Sequence, residues 1–336
     1  MRPATLFGLT NPNPITLLLL YFFGGPWSPF GIVMNALVTD TQSRIKIAVQ
    51  KSGRLTPRSL DLLNRIGLDY ARSPDQLLCV GRNMPVDALL VRDDDIPQLV
   101  QEGTCSLGFV GLNVAREMAL GCAENGVEPG FTVIQKLGFG HCRLAIARPA
   151  DVRWTGPETL QGQRIATSYP NLTRAYLKQH DVDATVVSFS GSVEVAPQLG
   201  KAEFICDLVS TGATLAANNL IEQDVLLNSE SVVIQSTHAI SGQAQLIDRL
   251  NQRIDGVMRV KESKYIMLHA PSNAVDAITQ LLPGSEAPTV MPLQGCDDKV
   301  ALHAVCRENV FWETLESLKA AGASAMLVLP VEKMLG

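Results

Sequence analysis

From residue 44 onward, short apolar runs alternate with stretches whose apolar positions recur at helical spacing. The spacing predicts strands at 45–49, 87–91 and 106–110, with helices at 56–66, at 96–102 and after Asn113. Strands that alternate with helices in this way predict a parallel sheet covered on both faces. Two more strands are expected at 131–137 and 142–147, divided by Gly138, Phe139, Gly140 and His141. After a polar loop at 150–162 a second unit begins, with strands at 164–167, 185–189 and 204–209 and helices at 172–179 and 193–199. Residues 222–236 return as an extended segment ahead of a helix near 241–256.

The expected organisation is α/β, with two lobes and a separate C-terminal module. One lobe takes residues 44–140 and 219–262, and the other takes 141–218. A chain that crosses from one lobe to the other and returns places its ligand in the cleft between them. Residues 263–336 follow their own order: strand 265–269, helix 274–282, strands 289–293 and 300–306, helix 310–321, strand 325–329. This β-α-β-β-α-β order is ferredoxin-like, a module that serves either as a dimerisation unit or as a small-molecule sensor.

Composition narrows the class. With 336 residues, 46% hydrophobic and 18% charged, the chain is a globular protein long enough for two or three domains. A net charge of −5 argues against nucleic acid or an acidic membrane as the partner. The cysteines at 79, 105, 122, 142, 206, 296 and 306 are scattered and never in C-x-x-C spacing. That usage fits reduced thiols in the cytoplasm and gives neither a disulfide framework nor a zinc site. Ahead of residue 44, the apolar run at 15–23 is too short to span a bilayer. Residues 1–43 are read as an extension without a fold role, the true start being Met34; a targeting segment is the other reading.

The chemistry concentrates where the strand at 204–209 runs into Ser210, Thr211, Gly212, Ala213 and Thr214 and a helix start. Gly lets a backbone approach an oxyanion, hydroxyls donate to it, and a helix start adds unpaired N–H groups. Asp207 repels a phosphate but accepts hydrogen bonds from the vicinal hydroxyls of a sugar, so the pair suggests a ribose phosphate. An ordinary turn with a Ser/Thr helix cap is the plainer reading of the same five residues. Lys51, Ser52, Gly53 and Arg54 lie where the first strand meets a helix, two cations suited to a polyphosphate or simply surface charge. Asp93, Asp94 and Asp95 follow Arg92; either Asp94 or Asp95 caps the next helix, or Arg92 meets substrate phosphate or another subunit while one of the acids sits near Mg²⁺. Thr167, Ser168 and Tyr169 either line the cleft or cap the helix after them.

The wider spacing of Glu194, Gly200, Ala202, Ile205, Asp207, Leu208, Thr211, Gly212, Thr214 and Leu215 resembles the signature of ATP phosphoribosyltransferase. The stretch Ile47, Ala48, Gln50, Lys51, Ser52, Gly53, Arg54, Leu55 and the run from Arg92 to Pro97 are similar to family patterns too. The resemblance covers nearly all of 44–334 and implies a two-lobed, periplasmic-binding-protein-like catalytic part. It implies transfer of the phosphoribosyl group of phosphoribosyl pyrophosphate to N1 of ATP, with Mg²⁺, as the first step of histidine biosynthesis. The C-terminal module resembles the histidine-sensing domain of the long form.

By the same resemblance Asp207, Lys51 and Arg54 are catalytic. Phosphoribosyl pyrophosphate falls to Glu194, Asp207, Ser210, Thr211, Gly212, Ala213 and Thr214; Glu194 is equally read as a carboxylate favouring a helix start. ATP falls to Lys51, Gly53, Arg54, Arg92 and Tyr169, and the histidine inhibitor to Thr289, Val305 and Ala325. An acidic inhibitor contact known in relatives has no counterpart near His269, Ala270 and Pro271. No metal ligand stands out. The resemblance also implies a homo-oligomer, a hexamer built from dimers. The rival reading is a non-catalytic small-molecule-binding protein of the same bilobed fold.

Overall fold

The segment Ile45–Gln50 (β1) buries Ile45, Ile47, Ala48 and Val49, apolar on both faces, and so occupies the interior of a sheet. The computed structural model describes residues 44–73, 76–238, 242–260, 263–282 and 287–334. The extension expected at 1–43 and the start of the helix expected near 241 lie outside the described residues.

After β1 come α1 (Thr56–Arg65), β2 (Leu78–Val80), β3 (Val86–Val91), α2 (Asp95–Gln101), β4 (Leu107–Gly111), α3 (Leu112–Glu124) and β5 (Phe131–Lys136). The second unit holds β6 (Cys142–Pro149), β7 (Arg164–Thr167), α4 (Pro170–Gln179), β8 (Thr185–Ser188), β9 (Phe204–Val209), α5 (Ala213–Ala217) and β10 (Leu220–Ser229). β11 (Ser231–Ser236) and α6 (Ala244–Arg259) return to the first unit. The six-stranded first sheet has the order β2-β3-β1-β4-β11-β5, and the five-stranded second sheet β10-β6-β9-β7-β8.

Neither sheet is purely parallel, which corrects the expectation from alternation. β1 runs parallel to β3 and β4, but β2, β5 and β11 pair antiparallel. Parallel pairing needs a crossover of about a dozen residues or more, and the short link between β2 and β3 has no room for one. The extended segment expected at 222–236 splits in two. β10 pairs with β6 in the second sheet and β11 with β4 in the first, so the return crossing falls at Glu230 and not near residue 219.

The helix expected at 193–199 is only a 3-10 turn, Val193–Val195. Pro197 lacks the N–H that would bond to Val193, so the first α-helical bond cannot form and Ala196 N–H donates to the Val193 carbonyl instead.

One core runs through both lobes. Ile96 and Val110 from the first and Ile146, Ile165 and Phe204 from the second belong to one buried cluster. Leu112 and Ala115 of α3 and Leu172 and Tyr176 of α4 fill it between the sheets. A second core lies between the other face of the first sheet, α1 and α6. A third, built from Ala145, Ala147, Ala166, Ala196 and Ala202 with Ile205 and Val209, sits beneath the turn after β9.

The C-terminal module holds β12 (Ser263–Pro271), α7 (Val275–Leu281), β13 (Thr289–Leu293), β14 (Cys296–Arg307), α8 (Glu308–Ala320) and β15 (Ser324–Pro330). Its four-stranded sheet has the ferredoxin-like order β13-β14-β12-β15, antiparallel throughout. Alternate residues Ile266, Leu268 and Ala270 on β12 and Leu302, Ala304 and Cys306 on β14 are buried with Ile278 and Leu318 of the helices.

Candidate active site

β9 carries Ile205, Cys206 and Val209 into the core and leaves Asp207 part-buried within the strand. The Asp207 Oδ1 accepts the Leu208 N–H at 2.8 Å, which fixes the carboxylate against its own strand. Burial raises its pKa above the usual carboxylate value; the Leu208 bond opposes that shift and the charge of Glu194 adds to it. Cys206, beside it, is fully buried and its thiol is pushed up to about 12, so it offers no thiolate nucleophile.

The turn itself holds Gly212 at φ +80, a left-handed conformation, although a Cβ there would meet nothing within 4 Å. The glycine is needed for its backbone and not for space. Gly212 takes the cap position of α5, and having no side chain it leaves the start of that helix to the residue before it. Thr211 Oγ1 accepts the Ala213 N–H at 3.4 Å.

A cavity of about 260 Å³ lies against the turn, lined by Arg54, Glu194, Asp207, Ser210, Thr211, Gly212, Ala213 and Thr214 together with Leu208, Val209 and Leu215. The residues come from three places in the chain: the loop after β1, the 3-10 turn at Val193–Val195, and the end of β9. Arg54 Nη1 donates to Ser210 Oγ. A smaller hollow of about 70 Å³ shares Arg54 and Leu208 and adds Gln50, Leu55, Asp93, Gly111, Asn113, Gly140 and Cys142. The two are neighbouring parts of one cleft between the sheets.

The loop before Arg54 is held at its base by Gln50, whose Oε1 accepts the Leu55 N–H at 3.2 Å while its carbonyl accepts from Thr56 Oγ1 at 3.0 Å. Gly53 has φ +130, and a Cβ there would come within 2.8 Å of the Gln50 amide. Lys51 is exposed, its backbone N–H bonded to the Val91 carbonyl at 2.7 Å. Arg92 is exposed as well, and neither cation lines the two hollows. The expected Asp cap of α2 is not formed: Asp94 holds the cap position in a helical conformation without a side-chain bond.

Tyr169 is bonded across to the first lobe. Its Oη accepts from Asn113 Nδ2 at 2.9 Å, and Asn113 Oδ1 accepts from Ser229 Oγ at 2.8 Å. Burial raises the Tyr169 pKa, with the Asn113 bond opposing, so the phenol stays protonated. Neither Ser168 nor Tyr169 caps α4 with its side chain. The start of α4 is satisfied from the other lobe: Glu117 on α3 accepts the N–H groups of Asn171 at 2.7 Å and Leu172 at 2.9 Å. Asn113 and Glu117 were not singled out from sequence; only their places early in α3 hinted at a role.

In the C-terminal module Thr289 pairs with His303, two residues from Val305 on the same strand, so the two project from one side of the sheet. Ala325 lies on β15, separated from β14 by β12, at φ +48 in the irregularity between the Met267–Leu327 and His269–Ser324 pairs. Tyr265 Oη lies 2.6 Å from His303 Nδ1 between these positions.

Two α/β lobes around a cleft, with the turn after β9 lining it, define a bilobed architecture carrying a ferredoxin-like module. The family model described as ATP phosphoribosyltransferase matches residues 92–256, and that of the HisG C-terminal domain matches 261–333. Together they cover well over half of the chain. Among solved structures, the ATP phosphoribosyl transferase (HisG:HisZ) complex from Thermotoga maritima aligns at TM-score 0.53 and 24% identity over 64% of this chain and 98% of that one. A histidine kinase sensor domain with similarity to periplasmic binding proteins aligns at TM-score 0.44 and 12% identity, over 66% and 93%. The arginine-bound form of truncated ArgBP from T. maritima aligns at 0.41 and 11%, over 66% and 98%.

The chain belongs to the ATP phosphoribosyltransferase family, in the long form that carries the C-terminal domain. Its reaction is transfer of the phosphoribosyl group of phosphoribosyl pyrophosphate to N1 of ATP, releasing pyrophosphate, the first step of histidine biosynthesis. No helix among the described residues is long and apolar enough to cross a membrane.

Proposed function

We propose that the cavity against the turn is the phosphoribosyl pyrophosphate subsite. The observation that supports it is the convergence there of Arg54, Glu194, Asp207, Ser210, Thr211, Gly212, Ala213 and Thr214, three chain segments meeting at one hollow. Asp207 accepts hydrogen bonds from the ribose hydroxyls, and Glu194 adds a second carboxylate on that side. The amides and hydroxyls from Ser210 through Thr214 take the 5′-phosphate. Arg54, at the border of the two hollows, faces the pyrophosphate and the ATP.

Displacement at C1′ passes through a transition state with positive charge on the sugar and growing negative charge on the leaving group. Catalysis then consists of aligning two large anions and neutralising charge, and it needs no nucleophilic side chain. The protonated state of Cys206 agrees with that. Lys51, Gly53, Arg54, Arg92 and Tyr169 form the ATP side: Tyr169 fixes the cleft wall through Asn113, Gly53 shapes the loop, and Lys51 and Arg92 extend cations from the rim.

Glu194 and Asp207 are the carboxylates lining the larger cavity, hard oxygen donors of the kind Mg²⁺ accepts. They would hold Mg²⁺ jointly with the substrate's own oxygens, and bound Mg²⁺ would neutralise charge on the pyrophosphate.

Histidine is proposed as feedback inhibitor at the C-terminal module, with Thr289 and Val305 on one side of the sheet and Ala325 two strands away. Homo-oligomers from dimer to hexamer, and a cytoplasmic location consistent with seven free cysteines, belong to the same reading. The test is turnover: pure protein, ATP, phosphoribosyl pyrophosphate and Mg²⁺, followed by the ultraviolet change on N1 substitution, with and without histidine. No turnover would favour a binding protein of this fold, and inhibition that persists after residues beyond 262 are deleted would move the sensor elsewhere.

A further inference from the structure

Two arginines converge on Ser210. Arg54 reaches its hydroxyl from the first lobe, while Arg143 Nη1 donates to its backbone carbonyl at 3.2 Å from within the second. Arg143 lies on β6 opposite Val209, the last residue of β9, and on the same face as Ala145, which pairs with Asp207. Its long side chain therefore runs along the face that carries the sugar-binding carboxylate, yet it pairs elsewhere. Nε and Nη2 donate to the two carboxylate oxygens of Glu222, the Nη2 bond being 2.5 Å. Glu222 comes from β10, just before a shift in its register with β6, the kind of irregularity that re-aims a side chain.

The geometry points to Arg143 as a positioning residue for the phosphate turn, with Glu222 as its anchor; we infer that the pair sets the orientation of the Ser210–Thr211 peptide. A guanidinium is planar, so fixing its Nε and Nη2 edge by a bidentate carboxylate also fixes where Nη1 points. A trans peptide directs its C=O and the following N–H to opposite sides. Holding the Ser210 carbonyl toward β6 thereby turns the Thr211 N–H away from β6, the direction in which a bound phosphate needs it. Lysine substitutes only in part, because a point charge reaches Glu222 or the carbonyl but has no rigid fork. A merely structural role predicts little: the Arg143 and Glu222 side chains are 34% and 23% exposed, and such pairs contribute about 0–1 kcal/mol.

This inference rests on the reading of the turn as the phosphoribosyl pyrophosphate subsite, so the experiment carries a control for that reading. In the full chain, Arg143→Met, Arg143→Lys, Glu222→Gln and Asp207→Ala are compared by steady-state kinetics in both substrates. Arg143→Met is expected to raise the KM for phosphoribosyl pyrophosphate by at least about tenfold and to leave that for ATP within about twofold. Glu222→Gln moves the same constant in the same direction by less, and Arg143→Lys recovers only part. If Asp207→Ala raises that KM and Arg143→Met leaves it within about twofold, the inference fails while the subsite stands. Equal rises in both KM values for Arg143→Met also overturn it. If neither Asp207→Ala nor Arg143→Met moves it, the subsite reading falls and the inference with it. Should Arg143→Met not fold, Glu222→Gln and Arg143→Lys decide by the same criterion.

Discussion

Arg54 and Ser210 stand 156 positions apart in the chain, yet the Arg54 guanidinium donates to the Ser210 hydroxyl. The contact joins the loop after β1 to the turn after β9, one from each sheet, and it closes the mouth of the cleft. A charged donor on a hydroxyl keeps the arginine oriented before substrate arrives, and the same fork is then available to pyrophosphate oxygens.

Arg54→Ala is expected to lower kcat/KM for phosphoribosyl pyrophosphate by about 10- to 150-fold, the loss of a charged hydrogen bond worth roughly 1.5–3 kcal/mol. Arg54→Lys should recover part of it. Initial-rate kinetics check both, and an unchanged kcat/KM in the alanine variant removes Arg54 from the site.

Asp207 gives a prediction of opposite sign for stability and activity. Its folded pKa lies above the ordinary value of 3.8, through burial first and the Glu194 charge besides. From pH 3.8 upward the unfolded chain releases this proton before the folded one does, so the stability that the protonated group contributes is lost as pH rises through the folded pKa. At neutral pH the buried carboxylate is therefore a cost, and Asp207→Asn should melt higher than the parent at pH 7–8 while binding phosphoribosyl pyrophosphate more weakly. The melting difference should shrink as the pH falls toward 3.8. Thermal melts across pH check the sign; an asparagine variant less stable at neutral pH contradicts it.

Gly212 separates backbone conformation from crowding, since a side chain has open space there but a left-handed φ. Gly212→Ala should cost the turn about 1–2 kcal/mol, seen as a 5- to 30-fold fall in kcat/KM for phosphoribosyl pyrophosphate. Gly212→Asn should fall between glycine and alanine, because asparagine tolerates this conformation better. Alanine outperforming asparagine would point to a steric cause instead.

Glu117 joins the lobes by capping α4 from α3. Glu117→Ala leaves the Asn171 and Leu172 amides without their acceptor and should lower unfolding stability by about 1–3 kcal/mol. Glu117→Gln keeps one acceptor oxygen and should lose less. Urea unfolding with matched m-values measures it, and a neutral alanine variant would show that water replaces the carboxylate at no cost.

Much of the fold was legible because its signals are local. The strand at 204–209, its small-residue turn and the order of the C-terminal elements follow from apolar period and turn chemistry within a few residues. Other features depended on partners far away in sequence. β10 reads the same as β11 along the chain, and only its pairing with β6 assigns it to the second sheet. Asn113 looks like a helix-start residue until it is seen bonded to both Ser229 and Tyr169. The 3-10 turn at Val193–Val195 is a local feature, set by the missing N–H of Pro197 four residues on.

The sequence alone determined that the strand at 204–209 would run into a turn of hydroxyls and glycine beside a carboxylate, and that a ferredoxin-like module would follow. Those properties belong to single residues and near neighbours, where backbone sterics and side-chain chemistry act without the rest of the chain. Which arginine meets the turn, which glutamate caps the opposite lobe and which strand joins which sheet were decided only by the tertiary structure. They hinge on burial and hydrogen bonding between segments a hundred or more positions apart, and no local pattern encodes such pairings until the cores have packed.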